Sequence, residues 1–182
     1  VVSDAGGEDT LVIHTMDGSA PPLRFDVLDL GRPTELSVSP AGDVVAVANH
    51  RLELLSIDIE SMTLKRLDQS PDERITGLAW SPDGRFILFM ERGVKTRMDI
   101  WALPLFGEKK AYQLSNSLFD EQTPQLSPDG RWLAYSSDET GDHEIYVQSF
   151  SADGKLGPDK KVISSKGGRL PVWRRDGGEL FF

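Results

Sequence analysis

Apolar residues along this 182-residue chain come in short runs, each bounded by glycine, proline, asparagine or aspartate. Val44-Val45-Ala46-Val47, Phe86-Ile87-Leu88-Phe89, Trp132-Leu133-Ala134-Tyr135 and Leu180-Phe181-Phe182 are of strand length and rich in β-branched or aromatic side chains. No stretch shows the three-to-four-residue period of an amphipathic helix, so the pattern predicts an all-β fold.

These runs recur with a punctuation mark in front of them. Ser81-Pro82-Asp83-Gly84-Arg85 returns as Ser127-Pro128-Asp129-Gly130-Arg131, in weaker form as Ser39-Pro40-Ala41-Gly42-Asp43, and in decayed form as Arg174-Arg175-Asp176-Gly177-Gly178. Successive copies start 42, 46 and 47 residues apart, a period that suits a four-stranded propeller blade. Proline is pre-set for the second position of a tight turn, aspartate tolerates the third, and glycine accepts the positive φ that follows. A second apolar run precedes each mark: Glu35 to Val38, Gly77 to Trp80, Pro124 to Leu126 and Leu170 to Trp173. The motif therefore predicts a hairpin between the first two strands of a blade, A and B.

Strand C is expected at Leu11 to Ile13, Leu54 to Ile57, Ile100 to Leu103 and Ile145 to Val147. Strand D is expected at Leu23 to Val27, Leu64 to Leu67, Ala111 to Leu114 and Lys161 to Ile163. D is the more polar, as suits the outer edge of a blade. The chain reads as one β-propeller domain of four-stranded antiparallel blades over 1–182. Its repeats fall roughly at 33–76, 77–122, 123–168, and 169–182 completed by 1–32. The fourth blade is split: Phe182 followed by Val1 continues the repeat in phase, so pairing of chain ends, within one chain or between two, is expected to close a ring.

Two stretches, Leu78 to Arg85 and Gln125 to Tyr135, resemble the WD40-like (PD40) repeat of TolB and of the tricorn protease propellers, with Ser137 to Val147 as the matching B–C loop and C strand. The first half, through Arg32 to Leu36 and His50 to Leu54, is more similar to tricorn. The second, ending Pro171 to Gly177, is more similar to propellers appended to bacterial kinases. The difference fits divergence or recombination of two propeller sources, natural or engineered. The resemblance implies a binding platform, a docking domain, or an entry filter in front of a peptidase. It also implies six to eight blades in a ring, which two copies of four would supply as an eight-bladed homodimer.

Charge and composition then narrow the chemistry. A net charge of −9 repels a phosphate backbone, so nucleic acid is not an expected partner. The basic pairs Lys109-Lys110, Lys160-Lys161 and Arg174-Arg175 are too short and scattered to offset it. No run is long enough to span a bilayer. With no cysteine, disulfides and thiolate chemistry are out of reach. The compartment of a bacterial-type cell, cytoplasmic or periplasmic, stays open.

No Gly-x-Ser-x-Gly elbow or Gly-rich phosphate loop occurs. Ser39, Ser81 and Ser127 open the hairpin turns and are expected to bond their own backbone. His143-Glu144 does not extend to a metalloprotease motif, because position 147 is valine. His14, His50 and His143 fall in different blades, so they are not expected to share a metal. The acidic loop of Asp138, Glu139 and Asp142 offers oxygen ligands but lacks calcium-loop spacing. Its counterpart in the split blade, Asp4, Glu8 and Asp9, recurs with the repeat and so favours a turn-forming role. Trp80, Trp132 and Trp173 sit at repeat positions and read as inter-blade packing.

No catalytic residue, metal site or cofactor is expected. The expected function is non-catalytic binding of protein or peptide through loops at one end of the propeller. Candidate contacts are Glu91, Arg92 and Lys95 in one loop and Asp138, Glu139, Asp142 and His143 in another. The alternatives are a substrate-gating domain of a tricorn-like peptidase or bacterial kinase, and a recombined propeller with no evolved ligand.

Overall fold

The computed structural model describes residues 2–3, 10–15, 17–25, 29–93 and 96–182. The described residues form β-strands joined by turns, with no helix. Three four-stranded antiparallel sheets follow one another as simple meanders. Blade I holds β4 (Pro33–Val38), β5 (Val44–Asn49), β6 (Glu53–Asp58) and β7 (Thr63–Gln69). Blade II holds β8 (Thr76–Trp80), β9 (Phe86–Arg92), β10 (Met98–Pro104) and β11 (Tyr112–Gln113). Blade III holds β12 (Glu121–Leu126), β13 (Trp132–Ser137), β14 (Glu144–Ser149) and β15 (Lys161–Val162). Flanking them are a three-stranded sheet of β1 (Val2–Ser3), β2 (Thr10–Ile13) and β3 (Leu23–Phe25), and a two-stranded sheet of β16 (Val172–Trp173) and β17 (Leu180–Phe181).

The all-β, four-stranded design is the expected one. The D strand of blade I, β7, runs longer than the expected Leu64 to Leu67, whereas those of blades II and III keep two residues each, with the amides of Leu114 and Ile163 still bonded to strand C at 2.8 Å. The two flanking pieces lie in separate sheets. The junction expected between them falls on Val1, outside the described residues, as do Asp26 and Val27 of the expected first D strand.

Burial explains why the B strands read as continuous apolar runs. In β5 and β13 every residue after the first is buried, because each blade is covered on both faces by its neighbours. One core joins Ala79, Phe86, Leu88, Ile100 and Ala102 of blade II to Leu126, Leu133, Tyr135, Tyr146 and Phe150 of blade III. A second joins Ala46, Ala48 and Leu54 to Ile75, Leu78, Ile87, Phe89 and Leu103. A third joins Leu11, Phe25 and Leu30 to Val45, Val47, Leu55 and Ile57. The hydrophobic cores thus lie between blades, and the outer strand β7 stays half-exposed.

The A–B hairpin turn of each complete blade is locked by its serine, while the β16–β17 turn uses Asp176, which accepts from Arg174 and the Gly178 amide. Ser81 Oγ donates to Asp83 Oδ1 at 2.6 Å and accepts the Phe86 amide at 2.9 Å. Ser127 Oγ does the same with Asp129 and Trp132, and Ser39 with Asp43 and Val44. The serines are therefore committed to turn structure. A fourth copy, Ser151 with Asp153 and Lys155, closes a C–D hairpin instead.

Inner strands carry a second recurrent device. β8 and β12 are bulged between Thr76 and Ala79 and between Gln122 and Gln125. The bulge residues Gly77 and Thr123 take φ of 67° and 54°, matched by Leu170 at 54° ahead of β16. At the first of these, Glu35 of blade I accepts the Gly77 and Leu78 amides at 2.7 and 2.8 Å. Indole nitrogens add to the register: Trp80 Nε1 donates to the Ser37 carbonyl and Trp173 Nε1 to that of Gln125, each at 3.2 Å. Both bonds run from one inner strand to the preceding one, as the inter-blade role expected for these tryptophans requires.

Candidate functional site

All A–B turns point to one side of the array, which leaves the B–C loops and the D-to-A linkers to form the opposite face. Direct contacts set their order across that face. Ser70, at the head of the linker from blade I to blade II, donates to Glu91 at the end of β9 at 2.7 Å. The next linker, residues 114–120, is wedged between two B–C loops. Asp120 accepts the Met98 amide of blade II at 3.2 Å, and its own amide donates to Asp138 of blade III at 2.8 Å. Arg97 crosses from the blade II loop to the other oxygen of Asp138. The last linker returns to blade III, where the Gly168 amide donates to the His143 carbonyl at 2.8 Å.

The candidate residues are thereby sorted into three places. Asp138 and His143 share a network: the Asp138 carboxylate is held by Arg97 and the Asp120 amide, and His143 Nε2 lies 3.6 Å from Asp120 Oδ2. His143 Nδ1 is buried without a hydrogen-bond partner. Glu139 instead pairs with Lys160, whose ammonium lies over the Tyr146 ring at 4.8 Å. Asp142 is exposed and lines a cavity of about 400 Å³ with His143, Lys166, Gly167, Gly168 and Arg169. The acidic loop therefore does not converge on one point, and its three carboxylates face three different surroundings.

Glu91 and Arg92 line another cavity, of about 490 Å³, together with Pro71, Asp72, Glu73, Gly93 and Thr96. Burial pushes the Glu91 carboxyl up; the Ser70 hydroxyl opposes this, and the like charges of Asp68, Glu73 and Asp72 add to it. Lys95 lies outside the described residues.

Adjacent acids are buried for structural reasons. Glu121, at the start of β12, is taken up by the hydroxyls of Ser115 and Ser117. Burial raises its pKa, and those hydroxyls partly offset the rise. Asp99, at the start of β10, is fully buried, bonded by Thr96, and raised by burial. Glu144 at the start of β14 receives the Ser164 hydroxyl and the Gly167 amide. An acid thus opens strand C in every complete blade, since Glu53 occupies the same place in β6. In blade III this acid ties the B–C end of the blade to its linker through Ser164 and Gly167, whereas Glu53 is bonded within its own blade by Asn49 and Arg66, and Asp99 by Thr96 of its own loop.

Sequence inspection missed Arg97, Asp120, Lys166 and Arg169, all part of this face. Arg97 and Asp138 are 41 residues apart, close to one repeat, and such a spacing of opposite charges is the signal that marks inter-blade pairs. On the opposite side, Trp80, Pro40, Pro82, Lys65 and Lys109 line a cavity of about 420 Å³ between blades I and II.

The fold is that of β-propeller blades, similar to those of the WD40-like, TolB-type repeat. In structure the chain is similar to TolB from Acinetobacter baumannii, with a TM-score of 0.73 at 20% identity over 94% of this chain and 42% of that one. It is similar also to the tricorn protease, with a TM-score of 0.72 at 18% identity over 90% of this chain and 20% of that one. In sequence it is 29% identical over 147 residues to a tricorn-like protease C-terminal subunit of Sulfurisphaera tokodaii, covering 79% of this chain and 17% of the relative. It is 30% identical over 139 residues to tricorn protease homolog 1 of Streptomyces coelicolor, covering 75% of this chain and 13% of the relative. The chain therefore corresponds to a propeller part of much longer proteins. No protein-family model matches it.

Proposed function

We propose that the chain is a non-catalytic binding platform for protein or peptide, and that the face of B–C loops and D-to-A linkers is its recognition surface. The observation that carries this is the charged lattice of Arg97, Asp120 and Asp138, which ties the loops of two blades and the linker between them into one fixed surface. Pre-ordered loops on a rigid sheet scaffold lose little entropy on binding. The serines of the chain's repeated motif are occupied in turns, which supports recognition over acyl transfer.

The test is selection of displayed random peptides on the chain, followed by mass analysis of the recovered peptides. Enriched peptides that stay intact, and that lose affinity when Asp138 is changed to Asn, are the expected result. No enrichment, or cleavage of the selected peptides, would overturn the proposal.

Similarity to tricorn proteases favours a second reading, in which this face filters substrates ahead of a peptidase carried elsewhere. Kinetics of a tricorn-like peptidase fused to this propeller, with and without Asp138→Asn, distinguish a filter from an independent platform. A reading of the chain's assembly, drawn from the four blade repeats, is completion of one copy by a second to give eight blades. Sedimentation equilibrium near twice 20.1 kDa is the mass this completion requires.

A further inference from the structure

The recognition face is electrically polar along its length. At one end, Lys166 and Arg169 are exposed and line the 400 Å³ cavity with His143 and a single acid, Asp142, which leaves the two cations in excess. No ion pair involves either cation among the described residues. They belong to a stretch, 160–175, that holds six lysines and arginines and no acid, in a chain of net charge −9. His143, whose Nδ1 is buried and without a hydrogen-bond partner, lines the same cavity.

At the other end, Asp72, Glu73 and Glu91 line the 490 Å³ cavity, with Arg92 on its rim. Between the two ends runs the wedged linker, and it presents apolar side chains to solvent. Leu118 is 78% exposed and Phe119 37%. An adjacent exposed leucine and phenylalanine, flanked by cavities of opposite charge, match the apolar centre and polar rim of a binding surface.

We infer that this face takes an extended peptide with basic residues at one end, apolar residues in the middle and carboxylates at the other. The carboxylates would meet Lys166 and Arg169, the apolar centre Leu118 and Phe119, and the basic end Glu91 and its neighbours. A nucleic acid does not fit, because its uniform negative charge would be repelled over half the face. This inference rests on the binding-platform proposal and adds the chemistry of the ligand.

The test is fluorescence anisotropy of the full chain with labelled peptides of about nine residues, long enough when extended to cross neighbouring loops. Each has lysines at one end, leucines in the centre and glutamates at the other, and is made in both chain directions. One direction binds, and raising salt weakens it. Lys166→Glu with Arg169→Glu weakens it at least about tenfold, the loss expected on reversing close charges across an interface. Replacing the peptide's glutamates by lysines restores affinity for that double variant. Leu118→Ser weakens all charged peptides alike.

These side chains are exposed, so the variants keep their circular dichroism and melting temperature. Equal binding of the uncharged or all-lysine peptide, equal affinity of the double variant, or displacement by a DNA duplex would overturn the inference. If selection yields peptides of another charge pattern that bind this face, the platform proposal stands and the inference falls. If no peptide of any pattern binds, both fall.

Discussion

Glu35 is the side chain whose removal should most clearly show how these blades are held in order. Its two oxygens accept the Gly77 and Leu78 amides at 2.7 and 2.8 Å, at the bulge where the β8–β9 register shifts. Hydrogen bonds to an ionised acceptor contribute about 1.5–3 kcal/mol each. The site is half-buried, so water recovers part of that once the carboxylate is gone. Glu35→Ala should then cost about 2–3 kcal/mol. Glu35→Gln keeps one acceptor but turns a donor toward the second amide, for a loss of about 1–2 kcal/mol. Urea unfolding followed by tryptophan emission measures both, with Trp80 reporting from the same interface. Amide exchange at Gly77 and Leu78 should speed up in both variants while that of Leu88, deep in β9, follows global stability only. A Glu35→Ala protein within about 0.5 kcal/mol of wild type, with unchanged exchange at those amides, would refute the latch.

Other consequences concern the opposite side of the array. Phe86 is 2% exposed and meets Phe106 and Phe150 edge-on at 5.3 and 5.7 Å, across two blades; Phe86→Ala should cost about 3–5 kcal/mol in urea unfolding. Gly154 has φ of +81°, and its carbonyl accepts Tyr112 Oη at 2.6 Å. A Cβ there would collide with Tyr112 and the Phe86 ring, so Gly154→Ala should lose about 2–4 kcal/mol and melt at visibly lower temperature. Asp129 is held down at about 2, first by the Ser127 hydroxyl and then by the Arg131 amide and side chain. A depressed folded pKa stabilises above the unfolded value and is lost as pH falls through the folded one. The stability gap between wild type and Asp129→Asn should therefore be constant above about pH 4 and close by about pH 2, in denaturant titrations at stepped pH.

Most of the scaffold could be read from the chain because its turns are built from residues with narrow conformational preferences. Pro82 and Gly84, or Pro128 and Gly130, are placed by local sterics, and the hairpin follows wherever they fall. The B strands were visible for a different reason: blades cover them on both faces, so Val44 to Val47 or Phe86 to Phe89 carry no polar interruption. D strands were less legible: β7 extends beyond Leu64 to Leu67 at both ends, while in blade II the ladder holds only Tyr112 and Gln113, with one further amide bond from Leu114 to the Ile100 carbonyl.

The proposed recognition face was only half visible. Loops around Glu91 and Asp138 stood out as polar insertions, but loop position alone does not show which charges are spent. Asp138 is bound by Arg97, Glu139 by Lys160, and only Asp142 faces an open cavity. Lys166 and Arg169 escaped notice because basic clusters were sought among sequence neighbours. A linker folding back on the previous blade, as at Gly168 and His143, assembles charge from residues more than twenty positions apart.

Hydrogen exchange of the whole chain, with and without a selected peptide, tests the central claim most directly, provided the peptide is weighed afterwards. Protection should appear at 91–93, 117–120, 138–143 and 166–169, leave the A–B turns at 39–44, 81–85 and 127–131 unchanged, and return the peptide intact. Protection confined to the A–B turns, or a cleaved peptide, would contradict a non-catalytic recognition face built from the B–C loops and linkers.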